Sequence, residues 1–475
     1  MCRLGECNLN REKELVKNTA IISFGKICTQ LVSFLLLPLY TAILSTSEYG
    51  TVDLVMTYST LLLPFITLAL EQALFRFLID IRNDDKKCAE YISVTTITSF
   101  IGVSVCLVII AVIYFVTNNV LFIYFGLVLI SSVISAVCLQ ICRGLGDNIG
   151  YTLGSTISAI VHVVLNVVFL VSLRMGATGM MLATFFGNLS CGLFTYSRCS
   201  LNKYLKFKYF RRKALKELCA YSLPLIPNQL SWWALNASDK IIVQVFIGVA
   251  GNGLIAVANK FSTVYIQFSN IFNISWTESV ALHINDEDAQ LFLSKTIDSV
   301  YRLFLCACCG IIVCIPFVFP IMINSKYYDA YGLIPIFMVA SLFNVIVSLY
   351  GVIYVAHKKT IEIAKTAVYA ALLNIISHLL LIKFIGIYAA AVSTTIGYGG
   401  MAVYRYFHSR RYIVVKFSNI SLLCSGVLIA LSFVSYYSTF KAVQIIVFVI
   451  VAIVSVYLNK CMIISFINII KGKVR

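Results

Sequence analysis

The chain has 475 residues, of which 60% are hydrophobic and 12% are charged, and its mean hydropathy is +0.92. Soluble globular proteins carry about one quarter charged residues, so this composition excludes a soluble domain and indicates a multi-pass membrane protein. The net charge of +17 does not indicate a nucleic-acid partner, because the basic residues lie at the margins of apolar segments, where they meet anionic headgroups of membrane lipids.

The apolar segments predict an all-α membrane protein with about fourteen transmembrane helices, since roughly 20 apolar residues cross a bilayer. Residues 1–16 are polar and basic and form a predicted cytoplasmic segment. The predicted spans lie near residues 17–43, 51–80, 91–116, 120–142, 151–173, 177–197, 218–246, 253–280, 297–323, 331–355, 362–382, 386–407, 418–437 and 441–459.

A basic segment at 198–216 is the longest charged interruption and divides the chain. It separates a predicted N-lobe of six helices (17–197) from a predicted C-lobe of six helices (217–407). Two further helices follow within 418–459, and residues 460–475 form a basic tail that is predicted to be cytoplasmic.

The distribution of Lys and Arg predicts the orientation in the membrane. Most of the 37 basic residues lie in every second loop, and basic loops stay on the cytoplasmic side, so both termini are predicted to be cytoplasmic. The intervening loops hold Arg174, Lys326, Lys383 and Lys441. Four cations fall within the apolar segments, where charge is costly and often functional: Lys26, Arg76, Lys240 and Lys260.

Short outer loops argue against a membrane glycosyltransferase or polymerase, which would need exposed catalytic groups. The loop between the first two spans covers only 44–50. The 16 Cys residues are scattered without the paired spacing of a metal site and are predicted to be small packing residues. The sequence therefore offers no candidate catalytic residues, and we expect no resident metal and no cofactor.

The two lobes resemble each other, which predicts pseudo-symmetric bundles around a central cavity. The fifth and sixth spans match the eleventh and twelfth at similar spacing. The aligned residues are Asn166, Arg174, Gly176, Thr184 and Gly187 in the first lobe and Asn374, Lys383, Gly386, Thr394 and Gly397 in the second.

Polar residues in the first two spans are candidates for a substrate cavity. Lys26 and Gln30 share one helix face with two serines, so this face is polar as a whole. Arg76 lies in the second span, where Asp80 at i+4 offers it an ion pair. Glu71 lies on another face of that helix and is a candidate partner for Lys26 or a candidate for ion coupling.

The seventh span combines helix-breaking and polar residues. Pro224 and Pro227 break or bend a helix, which a membrane tolerates only where protein or a cavity satisfies the freed backbone groups. Beyond them runs a polar and aromatic stripe of candidate substrate-binding residues. These are Asn228, Trp232, Asn236 and Lys240, with Trp faces suited to sugar rings.

Further titratable residues are candidates for ion coupling or for pairing between helices. Asp239 lies at a depth like that of Lys260, so an ion pair between them is an alternative to roles in binding. Glu278 lies near the end of the eighth span and is a third candidate for coupling, with Glu71 and Asp239. Two His–Asn pairs at i, i+4 favour interhelical hydrogen bonds over proton relay: His162 with Asn166, and Asn374 with His378.

At these residues the chain resembles the polysaccharide biosynthesis flippases of the multidrug/oligosaccharidyl-lipid/polysaccharide exporter superfamily. The motifs that carry the resemblance are the polar face around Lys26, Ser47-Glu-Tyr-Gly50, Arg143-Gly-Leu-Gly146, and the segment from Ser222-Leu-Pro-Leu-Ile-Pro-Asn228 to Asp239-Lys240. The resemblance covers most of residues 15–460.

The resemblance implies an O-antigen-type flippase of the bacterial inner membrane. Such a protein moves an undecaprenyl-pyrophosphate-linked oligosaccharide from the inner to the outer leaflet by alternating access, for O-antigen, capsule or exopolysaccharide synthesis. H⁺ or Na⁺ is then a candidate coupling ion, and a polysaccharide polymerase is a candidate partner. A multidrug cation antiporter of the same superfamily is the alternative.

Overall fold

The computed structural model describes residues 34–284, 286–357, 359–415 and 418–460, with 462 and 464, and within these ranges leaves out the side chains of 278, 281, 282, 360, 419, 420 and 422. The described residues form helices, turns and connecting segments, and no strand. The helices of the first part are α1 (Leu37–Ile43), α2 (Thr46–Ile66), α3 (Leu70–Ile81), α4 (Asp85–Thr117), α5 (Leu121–Gly144), α6 (Asn148–Val167), α7 (Gly176–Arg198) and α8 (Arg212–Ser222). The rest are α9 (Leu225–Phe246), α10 (Val249–His283), α11 (Ala289–Met322), α12 (Ile334–Ala356), α13 (Thr360–Ile385), α14 (Tyr388–Ser409), α15 (Asn419–Tyr437) and α16 (Lys441–Leu458).

The helices belong to two compact units that divide between Trp233 and Ala234, inside α9. Helix α8 packs on α3 and α4, so the basic segment that precedes it is attached to the first unit. Leu218 of α8 is fully buried there in one cluster with Leu70 and Val94. The lobe ranges taken from the sequence remain a prediction.

The second predicted span is not one helix, because the chain breaks between α2 and α3. Leu68 and Ala69 both take left-handed backbone conformations, with φ of 54° and 52°. Such values are costly for residues with a Cβ, so the surrounding structure must hold them in place. Pro64 lies one turn before the break, and its carbonyl oxygen accepts from Ala69 N at 3.0 Å. The break puts Glu71 in the first turn of a new helix.

The seventh predicted span is also interrupted, at the prolines that the sequence indicated. Helix α8 ends at Ser222, Pro224 lies in the turn, and α9 begins at Leu225. Pro227 is in the first turn of α9, where a missing N–H breaks no helical hydrogen bond.

Each unit contains the same three-helix packing. In the first unit α7 packs against α5 and α6, and in the second unit α14 packs against α12 and α13. A glycine makes each crossing close. A Cβ on Gly187 would lie 3.2 Å from His162 Cβ, and a Cβ on Gly397 would lie 3.1 Å from Asn374 Cβ.

These contacts correct the register of the internal repeat. Since Gly187 and Gly397 occupy equivalent positions, their neighbours His162 and Asn374 are also equivalent. The sequence alignment paired Asn166 with Asn374, which is displaced by one helical turn. The repeat itself is present, but its polar pairs run in opposite order.

The fold class predicted from the sequence is confirmed. Among the described residues, nine helices are long and apolar enough to cross a membrane. The remaining long helices at predicted spans, α9, α10 and α14, carry more polar residues, and α15 contains a shorter apolar helix, Leu423–Tyr437. The two last helices pack on α11.

Candidate functional site

Some predicted cavity residues lie outside what the structure describes. Lys26 and Gln30 precede residue 34, and the side chain of Glu278 is among those left out. Their proposed roles therefore rest on the sequence.

Arg76 forms the ion pair that its spacing offered. Its Nη1 atom lies 2.7 Å from Asp80 Oδ2, and both side chains are at least half exposed. An exposed pair of this kind contributes little stability. Arg76 is thus a surface residue of α3 whose charge is partly offset by Asp80, which weakens its claim to a substrate role.

Glu71 is the buried acid of the first unit. It is 5% exposed, and its Oε2 atom has no hydrogen-bond partner among the described residues. It follows directly on the break at Leu68 and Ala69. A buried carboxyl with an unsatisfied oxygen at a broken membrane helix can accept a proton or a cation, which is the chemistry that ion coupling needs.

The residues of the predicted polar and aromatic stripe on α9 differ in their exposure. Asn228 and Asn236 are exposed, whereas Trp232 is half-buried. Asn236 Oδ1 accepts a 2.6 Å hydrogen bond from the Tyr398 hydroxyl. The neighbouring Trp233 donates through Nε1 to the Thr57 carbonyl oxygen at 3.3 Å, so this indole has a packing role within the first unit.

The other two cations, Lys240 and Lys260, are half-buried. The ion pair with Lys260, which the sequence left open as an alternative, is not among the contacts of Asp239 within the described residues, which are to α13 and α14. Equal depth along two helices did not imply that their side chains face each other.

Asp239 is the centre of a buried polar cluster in the second unit. Its Oδ1 atom lies 2.9 Å from His378 Nδ1, on α13. Its Oδ2 atom lies 2.5 Å from Thr394 Oγ1, and Ser393 Oγ lies 3.4 Å from Oδ1, both on α14. Asp239 is 5% exposed and His378 is 0% exposed. Three helices thus meet at one carboxylate.

The cluster continues through neutral groups. Ser238 Oγ donates to Asn374 Oδ1 at 3.1 Å, and Asn374 Nδ2 donates to Thr394 Oγ1 at 3.4 Å. The second ring nitrogen of His378, Nε2, is buried and has no hydrogen-bond partner among the described residues. A buried polar atom without a partner is costly, so this nitrogen is a candidate for a functional role.

The contact between Asp239 and His378 allows two charge states. With a neutral imidazole the pair carries the single negative charge of Asp239, and with an imidazolium it is neutral overall. In either state the charge is buried, so the hydrogen bonds from the surrounding Ser393 and Thr394 hydroxyls are needed to stabilise it.

The equivalent position in the first unit is less charged. His162 Nε2 lies 3.2 Å from Thr184 Oγ1 across α6 and α7, and Asn166 Nδ2 donates to the His162 carbonyl oxygen at 2.7 Å. The predicted interhelical hydrogen bonds are thus present in both units, with an acid added in the second.

Sequence reasoning missed one buried cation, Arg405 of α14, which is 2% exposed. Its Nη1 donates to the Val347 carbonyl oxygen of α12 at 2.8 Å, and its Nη2 donates to Thr366 Oγ1 of α13 at 2.8 Å. The sequence interpretation counted it with the loop cations because it lies near the end of a predicted span. Its place inside the range 386–407 was the available signal.

The helices and the buried polar cluster define a multi-pass membrane protein with the fold of known transporters. An inward-facing multidrug resistance MATE family transporter of the MOP superfamily is similar at a TM-score of 0.66 and 15% identity, with 84% of this chain and 95% of that chain covered. The lipid II flippase MurJ, in an inward closed conformation, is similar at a TM-score of 0.68 and 14% identity, over 94% of this chain and 100% of that chain. At such identities the likeness establishes the fold.

The family is established by the sequence. Residues 15–277 match the model of the family described as "Polysaccharide biosynthesis protein", which is more than half of the chain. The chain belongs to this family, as the motifs around Ser47–Gly50 and Ser222–Lys240 indicated. No curated protein matches the chain.

Proposed function

We propose that the chain is a flippase that moves undecaprenyl-pyrophosphate-linked oligosaccharide units from the inner to the outer leaflet of the bacterial inner membrane, for O-antigen, capsule or exopolysaccharide synthesis. The observation that carries this proposal is the match to the polysaccharide biosynthesis family in a chain whose fold is shared with a lipid II flippase along 94% of its length. Transport by alternating access follows from the resemblance, with both termini cytoplasmic as the basic loops predict.

The charges of the proposed substrate suit the cations within the spans. A pyrophosphate needs positive charge and N–H donors in an otherwise apolar protein. Lys26, Lys240 and Lys260 are the proposed contacts, and Arg76 is a weaker one because it already binds Asp80. Asn228, Trp232 and Asn236, with Gln30, are the proposed contacts to the sugars.

The buried pair of Asp239 and His378 is the proposed coupling site, and the ion it binds is a proton. His378 Nδ1 lies against one carboxylate oxygen of Asp239, and Thr394 Oγ1 lies against the other. The second imidazole nitrogen, Nε2, has no partner among the described residues and can accept a proton, which favours a proton as the coupling ion. Glu71, with its unsatisfied oxygen, is a second candidate for the same task, and Glu278 remains a candidate from the sequence.

The alternative function is a multidrug cation antiporter, and the likeness of the fold to MATE transporters supports it as much as the likeness to MurJ supports a flippase. The two functions differ in the charge of the cargo.

A deletion strain that lacks its own flippase, with this chain and its cognate glycan genes supplied, tests the proposal. Restored glycan at the cell surface supports a flippase. Efflux of a cationic dye without restored glycan overturns it. A polysaccharide polymerase is the proposed partner, because it would receive the oligosaccharide units at the outer leaflet.

A further inference from the structure

Two cysteine thiols meet in the first unit where helices α5 and α7 end. Cys142 lies in the last turn of α5, and Cys199 is the first residue after α7. Their Sγ atoms are 2.8 Å apart although 57 residues separate them in the chain. This is closer than two thiols that merely pack together, so the helix ends hold the two sulfur atoms near bonding distance.

The surroundings of the thiols activate one of them. Asp147 caps α6 beside them, and Arg198 donates through Nε to Asp147 Oδ2 at 2.9 Å. The hydrogen bond from the Cys142 thiol lowers the pKa of Cys199, and the nearby Arg198 acts in the same direction, against burial and the charge of Asp147. Cys142 is fully buried while Cys199 is partly exposed, so a reagent reaches Cys199 first.

This group of residues could also bind a metal ion, since both sulfur atoms and an Asp147 oxygen lie within 4.8 Å of one another. Two arguments disfavour it. Zinc–sulfur bonds of about 2.3 Å in a tetrahedron need sulfur atoms about 3.8 Å apart, well beyond the observed 2.8 Å. Asp147 is also engaged at both oxygens, by the Gly150 amide at 2.8 Å and by Arg198.

We propose that Cys142 and Cys199 form a reversible disulfide, a thiol modification site that joins the ends of α5 and α7. A disulfide bond is about 2.05 Å long, so closure from 2.8 Å needs only a small movement of the side chains. The oxidant is a low-molecular-weight disulfide. The Cys199 thiolate attacks one of its sulfur atoms and releases one thiolate, which leaves a mixed disulfide on Cys199.

The second step completes the exchange. Cys142 loses its proton and attacks the Cys199 sulfur, so that the protein disulfide forms and the second small thiolate leaves. The two protein thiols lose two protons and two electrons in total. The small disulfide takes up the two electrons as it is reduced to two thiolates, and these thiolates take up the two protons. The reaction runs backwards with an excess of a reducing dithiol.

The test uses the full-length protein, purified in detergent and treated with oxidised glutathione. The sample is then denatured, alkylated and digested, and the peptides are assigned by mass spectrometry. We expect one peptide pair joined through Cys142 and Cys199, lighter than the two free peptides by two hydrogen atoms, which disappears on reduction with dithiothreitol. The wild-type result alone decides the proposal, so it does not depend on the folding of a variant.

Variants refine the assignment. Cys199→Ser should leave Cys142 fully alkylated after the same treatment. Cys219→Ser, which removes a half-buried thiol of α8, should leave the disulfide unchanged. Three results would overturn the proposal: both thiols remaining alkylatable while others are oxidised, a disulfide between other cysteines such as Cys138 and Cys191, or one bound metal ion per chain that Cys142→Ser removes.

Discussion

Asp239 and His378 lie 139 residues apart in the chain, yet their Oδ1 and Nδ1 atoms are 2.9 Å apart in the interior of the second unit. Both side chains are almost completely withdrawn from solvent. Such a pair has two charge states: a buried anion when the imidazole is neutral, and a neutral ion pair when the imidazole is protonated. Protein motion that favours one of these states would favour uptake or release of a proton.

The first prediction concerns the stability of this pair. His378→Leu should lower the stability by about 3–5 kcal/mol, because it leaves the Asp239 carboxylate buried with fewer partners. The double variant Asp239→Asn with His378→Leu should recover much of the loss, since no buried charge remains. The midpoint of thermal unfolding in detergent measures this order. Equal loss in the single and double variants would contradict the ion-pair account.

The second prediction concerns transport by the same pair. Asp239→Asn and His378→Leu should each remove the dependence of glycan export on an imposed pH gradient, because neither variant can exchange the proton. His162→Leu is the matched control, as it removes a histidine from the equivalent helix of the first unit. Export that follows a sodium gradient in the wild type, and ignores the pH gradient, would sink the proton assignment.

The third prediction separates charge from geometry at Arg405. Arg405→Lys keeps a buried charge but cannot bond both the Val347 carbonyl and the Thr366 hydroxyl as the planar guanidinium does. We expect it to cost about 2 kcal/mol. Arg405→Met removes the charge as well and should cost less. Thermal unfolding of both variants checks the order, and a less stable Met variant would show that the charge itself is needed.

The fourth prediction concerns the broken second span. A Cβ on Gly102 of α4 would lie 2.1 Å from the Ile66 carbonyl oxygen, just before the break that positions Glu71. Gly102→Ala should therefore destabilise by about 1–3 kcal/mol, because backbone has to move. Gly310→Ala is the control within another long helix, where a new Cβ meets nothing within 4 Å. It should be neutral or gain up to about 1 kcal/mol. Similar melting of both variants would contradict the close contact.

The sequence predicted the spans and the fold class because long apolar runs have few alternatives in a membrane. It did not predict the partner of Asp239, since position along a helix gives depth but not the direction in which a side chain points. Lys260 was predicted to lie at the same depth as Asp239, but the side chain that contacts Asp239 is His378. Arg405 was missed for a related reason: closeness to the end of a span indicates access to water only where the helix faces outward.

The register of the repeat shows the same limit. Asn166 and Asn374 matched as letters, but the contacts of Gly187 and Gly397 make His162 the equivalent of Asn374. One turn of helix separates the two alignments, and only the close approach of two backbones distinguishes them. Lys240 and Lys260 were chosen because they lie within apolar segments, and both side chains are half-buried. Their roles in substrate binding remain proposals.

The last prediction tests the cargo itself. Lys26→Ala and Lys260→Ala should each reduce glycan export about tenfold or more, because a lost charge-assisted bond to a phosphate is worth about 1.5–3 kcal/mol. Lys326→Ala is the control, since this exposed lysine lies in a loop between spans. Export is measured as surface glycan at matched amounts of protein in the membrane. Unimpaired export by both variants would remove the case for a pyrophosphate held by these cations. Loss in Lys260→Ala alone would confine the contact to the second unit, where Lys260 lies.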